Sequence, residues 1–427
     1  MIIRYISNIF KTTDLNIYKS RMETQRRGKF WRVFLTASSF SGLSYLFMLN
    51  NSFLRCITDW FRWCPTSPER LEEAERKIFS YLKTPHTLEF VHIAVDDHGK
   101  EYKIRSLRIN NCTNEKSTPL VLLHGFASGI GLWILNLFSL SQDRPLYALD
   151  ILGFGQSSRP LFSGDAEVAE IQMVESIEQW RKQIGLNHFI LLGHSLGGFL
   201  AASYAIKYPE KVKHLILADP WGFPEPDLSV KKIEIPMWVK LIAFMLRPFN
   251  PLAGLRAAGP WGPQLIPKLR PDIIRKFDPL DPDVVSNYIY HCNAQSPSGE
   301  SAFKAMTAHF GWAKRPMLKR ISQLKQDIPI TFIYGSRSWI DSNSGLQTSE
   351  LRKNSYVEIK MIQGAGHHVY ADRPEVFNKL VCDICRNHDS SVWKQLSSIV
   401  VNQQNLNETN NENSDEEAGR SSEQQYN

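Results

Sequence analysis

The chain has 427 residues, of which 43% are hydrophobic and 22% are charged, and its formal net charge at pH 7 is +7. These proportions are ordinary for a globular protein and exclude a wholly disordered, a collagen-like and a polytopic membrane protein. The net charge alone would allow nucleic acid or an anionic membrane as a partner. Its distribution favours the membrane and no nucleic acid, because residues 1–70 carry 11 basic and 4 acidic side chains around an apolar and aromatic stretch.

The N-terminal region 1–84 is predicted to anchor the protein to a membrane or a lipid droplet. Residues 33–54 form a largely apolar stretch that is long enough to cross a bilayer but is diluted by serine, threonine and asparagine. A true span, an interfacial segment and a soluble segment all stay open. Trp60 and Trp63 suit a membrane interface, although docking of these rings onto the domain explains them equally well. Residues 1–30 hold few acids, which also permits a mitochondrial presequence.

From about residue 88, short apolar strands alternate with segments of helix length. Five runs are predicted to be buried strands, namely 119–123, 146–149, 188–192, 214–218 and 330–334. The alternation predicts an α/β fold, with a mostly parallel sheet and helices on both faces. Two segments, 85–218 and 329–395, would form the core, and 219–328 is too long for a crossover and is predicted to be an inserted cap. The polar tail 396–427 has almost no apolar content and is predicted to be disordered.

The strongest chemical motif is the G-x-S-x-G sequence around Ser195. It follows a predicted strand and opens a predicted helix, which is the setting of a nucleophile elbow. The glycines allow a sharp turn that raises the serine above the sheet. The motif and its setting predict an alpha/beta-hydrolase fold with Ser195 as the nucleophile.

A nucleophilic serine needs a base and an acid that orients the base, and in this fold they follow the serine in the order acid, then histidine. His367 lies in a glycine-rich loop after a predicted strand and is the expected base, with His368 as its rival. Asp341 follows the strand 330–334 and is the expected acid. Asp219, which ends the preceding strand, is the alternative acid, and a turn-capping role is the alternative for Asp341.

Two backbone N–H groups are expected to form the oxyanion hole, which stabilises the negative oxygen of the reaction intermediate. One belongs to Leu196, directly after the nucleophile. The other belongs to Phe126, in the loop after the first strong strand. Both would donate to the substrate carbonyl oxygen.

Three further patterns concern ligands. The cap is basic, and Lys314 and Arg315 are candidates to bind an anionic head group, although a charge cluster is more often a solvated face. His367 and Asp372 form the H-x-x-x-x-D pattern of glycerolipid acyltransferases, which is weak evidence for acyl transfer. The six cysteines show no disulfide or zinc spacing, and the pair Cys382 and Cys385 lies in an apolar helical pattern, so neither a metal nor a cofactor is expected.

Several longer motifs resemble the alpha/beta-hydrolase domain-containing proteins four and five. The resemblance runs from about residue 58 to 388 and is carried by the segments 194–200, 219–224, 288–293, 310–317 and 368–372. It implies one of two functions. One branch of that family resembles a lysophospholipase that also deacylates N-acyl phosphatidylethanolamine. The other has asparagine at the elbow and activates a triacylglycerol lipase at lipid droplets, and lysophosphatidic acid acyltransferase activity is also attributed to it.

The residues that separate the two branches give a mixed result. Ser195 matches the hydrolase branch, whereas Arg337 and Gly366 match the coactivator branch and are candidates to bind a partner lipase. Trp60 and Trp63 fall where the coactivator branch has its droplet anchor. The leading expectation is a cytoplasmic serine hydrolase that deacylates phospholipids or lysophospholipids in lipid homeostasis, peripheral on droplets or intracellular membranes. The lipase coactivator and the acyltransferase of phosphatidic acid synthesis are the alternatives.

Overall fold

The computed structural model describes residues 63–95, 101–110, 117–225, 250, 252–278, 280–308 and 311–390. It divides the chain into two compact units, Met1–Pro65 and Thr66–Asn427. The stretch 33–54, Trp60 and the tail 396–427 lie outside the described residues. The description below is of the second unit, within the ranges just given.

The centre of this unit is an eight-stranded sheet with the order β1-β2-β4-β3-β5-β6-β7-β8. β1 and β2 pair antiparallel, β2 also pairs antiparallel with β4, and the remaining neighbours are parallel. The strands are β1 (Thr87–Val95), β2 (Glu101–Ile109), β3 (Leu120–Leu123), β4 (Leu146–Leu149), β5 (Phe189–His194), β6 (Val212–Ala218), β7 (Ile330–Gly335) and β8 (Val357–Ile362). The predicted parallel α/β sheet is therefore confirmed.

Burial explains which strands the sequence revealed. All residues of β3, β5 and β7 are buried, and a strand is covered on both faces only when its neighbouring side chains, which point in opposite directions, are all buried. By contrast, β1 and β2 form an antiparallel hairpin with exposed positions, such as His92, between buried ones. Neither strand is a continuous apolar run, because polar residues interrupt both, and neither strand was predicted from the sequence.

The described ranges contain helices of four to eighteen residues. They are α1 (Pro68–Phe79), α2 (Ile134–Leu140), α3 (Ala166–Gln183), α4 (Leu196–Lys207), α5 (Ala253–Ala257), α6 (Gly262–Leu269), α7 (Pro271–Lys276), α8 (Pro282–Ala294), α9 (Gly299–Met306), α10 (Asn343–Leu351), α11 (Val369–Asp372) and α12 (Pro374–Asp389). Helices α5 to α9 lie between β6 and β7, in the interval where the cap is predicted. No helix of these ranges has the length and apolarity that a membrane crossing requires.

Helix α1 belongs to the hydrolase unit and not to the region before it. The side chain of Ser67 accepts a hydrogen bond from the Arg70 N–H and caps the helix start. Ile78 and Phe79 are buried, and Glu75 forms a buried ion pair with Arg105 of β2 at 2.5 Å. The structure therefore places the boundary between its two units after Pro65, whereas the sequence placed the end of the anchoring region at residue 84.

Candidate active site

Ser195 lies in a tight turn between β5 and α4. Its backbone has φ 53° and ψ −117°, a conformation that is unusual for a residue with a side chain. A Cβ atom on Gly193 would lie 2.2 Å from the carbonyl oxygen of Gly197, and one on Gly197 would lie 2.5 Å from the carbonyl oxygen of His124. Only glycine fits at these two positions, so the motif supplies the close backbone approach that the turn needs.

The structure brings Ser195, His367 and Asp219 together in a hydrogen-bonded chain. His367 Nε2 is 3.0 Å from Ser195 Oγ, and His367 Nδ1 is 2.6 Å from Asp219 Oδ2. An ionised carboxylate can only accept hydrogen bonds, so Nδ1 carries the proton and Nε2 accepts the bond from the serine hydroxyl. This tautomer is the one in which histidine can act as a general base toward serine.

The assignment of Asp341 as the acid is wrong, and the alternative, Asp219, takes that place. Asp341 is exposed, and its Oδ1 accepts a hydrogen bond of 2.9 Å from the Asn343 N–H at the start of α10. Asp219 directly follows β6, is fully buried and also accepts bonds from Ser338 Oγ and the Gly335 N–H. Both aspartates follow strands whose ends meet at one edge of the sheet, and only the three-dimensional arrangement decides between them.

His368, the rival base, has no hydrogen bond to the nucleophile. It is half-buried, and its Nδ1 atom lies 3.5 Å from the Nζ atom of Lys276 in the cap. The imidazole of His367, by contrast, has both nitrogen atoms engaged with the other two members of the triad. The structure therefore supports His367 as the base.

Burial lowers the pKa of His367, and the positive charges of Lys276 and Arg270 lower it further, while Asp372 raises it. The negative charge of Asp219 also favours the protonated imidazole and acts against this decrease. Burial raises the pKa of Asp219 itself, and the hydrogen bonds from Ser338 and Gly335 lower it. The net direction leaves His367 neutral at pH 7, as a general base must be.

This electrostatic balance predicts the acid limb of the pH profile. Protonation of His367 removes the base, so kcat/KM falls as the pH drops through the pKa of His367 in the free enzyme. Because that pKa is lowered, we expect half of the maximal kcat/KM to be lost below pH 6.5, the ordinary value for histidine. Initial rates with a soluble short-chain ester between pH 4 and 9, with tryptophan fluorescence to verify folding, measure this limb. A midpoint above 6.5 in the folded protein would contradict the prediction.

One predicted oxyanion donor, Leu196, directly follows the nucleophile, and the other, Phe126, lies in a loop that comes close to it. Leu196 is the first residue of α4, where the N–H groups have no acceptor within the helix. Phe126 follows Gly125, and a Cβ atom on Gly125 would lie 3.2 Å from the Ser195 Cβ atom. Their donation to a substrate oxygen stays a prediction.

Two buried histidines that the sequence analysis did not assign support this arrangement. His194 Nε2 donates to the carbonyl oxygen of His367 at 2.9 Å and fixes the backbone of the base. The Nδ1–H of His124 donates to the Gly125 carbonyl oxygen at 2.8 Å, and its Nε2 accepts from the Ile151 N–H at 3.0 Å. For His194, its place directly before Ser195 in the G-x-S-x-G motif was the feature of the sequence that could have indicated a role in the site.

Aromatic side chains from the core and the cap pack together near the backbone of Ser195. The backbone N–H of Trp221 donates to the Ser195 carbonyl oxygen at 3.1 Å, and the Trp221 ring packs against Phe199 and Phe303. Phe303, from α9 of the cap, stacks on Phe126 with 4.4 Å between the ring centroids. Apolar side chains near the nucleophile are compatible with a substrate that carries a hydrocarbon chain.

Lys314 and Arg315, the candidates to bind a head group, instead bind other residues of the protein. Arg315 forms ion pairs with Glu167 and Glu170 of α3 at 2.8 and 3.2 Å. Lys314 Nζ donates to the carbonyl oxygen of Ala305 at 2.6 Å. The sequence revealed the charges but not these partners, and the structure does not support a substrate-binding role for either residue.

Arg337 and Gly366 lie close together, on the loops that follow β7 and β8. The Arg337 N–H donates to the carbonyl oxygen of Ala365 at 2.8 Å, and its guanidinium donates to that of Gly364. Arg337 is exposed. The two candidate partner-binding residues therefore share one surface, directly beside the loop of the catalytic base.

Asp372, the second residue of the H-x-x-x-x-D pattern, has no hydrogen bond to His367. Its Oδ2 accepts from the Gly366 N–H at 2.8 Å, and its Oδ1 forms an ion pair with Lys276 at 3.0 Å. The described residues contain no cluster of three or more His, Cys, Asp or Glu side chains that could hold a metal ion. Cys382 and Cys385 are buried free thiols in α12.

Comparison with known proteins identifies relatives of the chain. Residues 118–258 match the family model described as alpha/beta hydrolase fold. The human 1-acylglycerol-3-phosphate O-acyltransferase ABHD5 is 54% identical over 326 residues, which cover 76% of this chain and 92% of that protein. The human (lyso)-N-acylphosphatidylethanolamine lipase is 52% identical over 326 residues, 76% of this chain and 94% of that protein. The structure of carboxylesterase CesB from Bacillus subtilis has a TM-score of 0.51 at 17% identity, and the match covers 74% of this chain and 96% of that one.

The parallel sheet, the elbow and the Ser195–His367–Asp219 triad define a serine hydrolase of the alpha/beta-hydrolase fold. The sequence identity of 54% and 52% to the two human relatives, over most of their length, assigns the chain to a family within this fold. The chain belongs to the family that contains ABHD5 and the (lyso)-N-acylphosphatidylethanolamine lipase.

Proposed function

We propose that this protein is a serine hydrolase that deacylates phospholipids or lysophospholipids, including N-acyl phosphatidylethanolamine. The observation that carries the proposal is the complete triad, in which Ser195 Oγ, His367 and Asp219 are joined by bonds of 3.0 and 2.6 Å. The aromatic cluster of Phe126, Phe303 and Trp221 near the nucleophile supports an acyl chain as the group transferred. The lipase relative at 52% identity supports the substrate class.

The geometry gives each residue a step in the reaction. Ser195 Oγ attacks the acyl carbonyl while His367 Nε2 takes the hydroxyl proton, and Asp219 holds the imidazole and stabilises its positive charge. The same proton is then delivered to the leaving lysolipid or glycerol oxygen, which departs from the acyl-enzyme. Water attacks the acyl-enzyme next, gives its proton to His367, and the fatty acid leaves as Ser195 regains its hydrogen.

The location that fits this chemistry is a lipid surface. Trp339 is 64% exposed, and its ring centroid lies 5.0 Å from that of His367, so an exposed aromatic ring stands at the catalytic base. Aromatic rings of this kind are favoured at membrane interfaces. We place the protein in the cytoplasm, peripheral on lipid droplets or intracellular membranes through its N-terminal region, with the mitochondrion as the alternative that the acid-poor residues 1–30 permit.

A lipid panel tests the proposed activity. The full-length protein would be incubated with vesicles that contain phosphatidylcholine, lysophospholipids, N-acyl phosphatidylethanolamine or triacylglycerol, and mass spectrometry would identify the products. We expect free fatty acid and the matching deacylated lipid from the phospholipid classes, and neither product from the Ser195→Ala protein. Release from triacylglycerol alone would contradict the proposed substrate class.

A second candidate function is activation of a triacylglycerol lipase at lipid droplets. It is favoured by the shared surface of Arg337 and Gly366, where the Arg337 N–H binds the Ala365 carbonyl oxygen at 2.8 Å. That surface lies outside the triad, so this function would need no chemistry at Ser195. Loss of hydrolysis and loss of activation are therefore separable by mutation.

Substitutions on this surface test the coactivator function. We expect Arg337→Ala to lower the stimulation of a triacylglycerol lipase on emulsified substrate at least about tenfold, since a hydrogen bond from the Arg337 guanidinium to the lipase would be worth about 1.5–3 kcal/mol. Ser195→Ala should stimulate the lipase as well as the unaltered chain does. Gly366→Ala is a suitable second variant, because the added Cβ would lie 3.4 Å from Asp372 Oδ2, an ordinary contact distance. Equal stimulation by the wild type and Arg337→Ala, or none by the wild type, would contradict this function.

Acyl transfer to lysophosphatidate is a third candidate, because the ABHD5 relative is named for it. The same acyl-enzyme would form on Ser195 from an acyl-CoA thioester, with coenzyme A leaving as the thiol. The free hydroxyl of lysophosphatidate would then replace water as the attacking group, and its proton would pass to His367. Purified protein that makes no phosphatidate from acyl-CoA and lysophosphatidate would exclude it.

A further inference from the structure

Two adjacent residues in the loop of the catalytic base, Gly366 and His367, have backbone groups that are held by side chains from elsewhere in the fold. The carbonyl oxygen of His367 accepts a hydrogen bond of 2.9 Å from His194 Nε2. One residue earlier, the Gly366 N–H donates to Asp372 Oδ2 at 2.8 Å. His194 comes from the end of β5, beside the nucleophile, whereas Asp372 ends the short helix α11 that follows the base. The position of the imidazole therefore depends on both contacts.

The same carboxylate connects this loop to the cap. Asp372 Oδ1 lies 3.0 Å from Nζ of Lys276, the last residue of α7, and the side chains are only 15% and 14% exposed. The Lys276 ammonium is also 3.5 Å from Nδ1 of His368. An ion pair this shielded from water is stronger than a surface pair, and its rupture leaves a poorly solvated charge. A cap that moved away from the core would have to break it.

We propose that Asp372 is a positioning residue for the base and that Lys276 couples it to the cap, so that cap closure and placement of His367 occur together. The inference rests on the proposed serine-hydrolase function of the triad. It gives the aspartate of the H-x-x-x-x-D pattern a role that is not chemical, since both imidazole nitrogens of His367 already have their partners in Ser195 and Asp219. Movement of the cap and the position of the base would then be linked through Asp372, which contacts Lys276 with one oxygen and the Gly366 N–H with the other.

Three substitutions separate the two contacts of Asp372. Asp372→Ala removes both contacts, and Asp372→Asn keeps an oxygen that accepts from the Gly366 N–H but loses the charge. Lys276→Met removes the ion pair, together with the contact of Lys276 with His368, and keeps the Gly366 contact. With a soluble short-chain ester, we expect Asp372→Ala to lower kcat about ten- to a hundredfold with KM within about twofold, because a displaced base slows the chemical step. Asp372→Asn should keep kcat within about threefold of the wild type. Equal loss of kcat in both variants would overturn the positioning role.

Hydrogen exchange tests the coupling without any substrate. In Lys276→Met we expect faster exchange both in α7 and in the loop 364–368, which lies in another part of the chain. A matched control is Lys379→Met, which removes an exposed pair with Asp383 at 2.9 Å, and it should leave exchange in the loop unchanged. Faster exchange in α7 alone would overturn the coupling, and so would an equal effect of the control.

These readouts also separate the inference from the proposed substrate. A wild-type protein that hydrolyses the soluble ester but no phospholipid would refute the substrate class, and the comparison of Asp372 variants would still be decisive. If Asp372→Ala does not fold, hydrogen exchange in the loop 364–368 of the Lys276→Met protein still tests the link to the cap. In that case, a kcat of the Asp372→Asn protein equal to that of the wild type supports the role of the Gly366 contact. A tenfold lower kcat of the same variant contradicts that role.

Discussion

Replacement of Asp219 by asparagine is expected to lower kcat by about 10⁴-fold while KM changes little. The asparagine amide can donate a hydrogen bond to His367 Nδ1, which moves the imidazole proton to Nε2. In that tautomer, Nε2 can no longer accept the serine proton. The variant should fold, because the amide has nearly the shape of the carboxylate and retains an acceptor for Gly335 or Ser338. Steady-state hydrolysis of a soluble ester measures the effect.

The matched control is Asp341→Asn, at the position that the sequence favoured for the acid. Its carboxylate is exposed and accepts a hydrogen bond from the Asn343 N–H at 2.9 Å, whereas the imidazole of His367 is bound by Asp219, so we expect kcat within about twofold of the wild type. A large loss of kcat in Asp341→Asn with little loss in Asp219→Asn would contradict the structural assignment. Measurement of both variants at one pH thus decides between the two aspartates.

Ser195→Ala is expected to abolish ester and phospholipid deacylation, with a loss in kcat of about 10⁶-fold. Without Oγ, no acyl-enzyme can form, and the remaining groups can only assist direct attack by water. The Cβ atom is retained, so the backbone at φ 53° is as compatible with alanine as with serine. We expect a melting temperature within about two degrees of the wild type, which differential scanning fluorimetry can verify. Wild-type deacylation by this variant would remove the proposed mechanism.

The sequence predicted the parts of the site that depend on local pattern. The apolar runs identify buried strands because a strand covered on both faces has few polar positions. The elbow around Ser195 and the base His367 follow from glycines at required positions, such as Gly193 and Gly197, where a Cβ atom would clash with backbone oxygens. These constraints act over a few residues and can be recognised in the sequence itself.

Other features depend on contacts between distant segments and could not be predicted. Asp219 and Asp341 both follow strands that end at one edge of the sheet, and their order in the chain does not show which carboxylate reaches His367. The charge of Arg315 was evident, but its pairing with Glu170, 145 residues earlier, was not. The same holds for Lys276, whose contact with Asp372 joins the cap to the core.

The helix α1 shows a further limit of composition. The helix lies within residues 1–84, which the sequence assigned to the anchoring region. The structure buries Leu71, Ile78 and Phe79 and pairs Glu75 with Arg105 of β2. One apolar stripe on a polar helix is enough to pack it against the domain. The surface against which the stripe packs cannot be identified from the sequence of the helix alone.

Covalent labelling tests the central claim, that Ser195 is a nucleophile activated by His367 and Asp219. The full-length protein would be treated with a fluorophosphonate, which reacts with activated serines, and the adduct would be located by peptide mass spectrometry. We predict a single adduct on Ser195 in the wild type, labelling slowed at least about a hundredfold in Asp219→Asn, and unchanged labelling in Asp341→Asn. An unlabelled Ser195 in the folded wild-type protein, or equal labelling rates in the wild type and Asp219→Asn, would contradict the account.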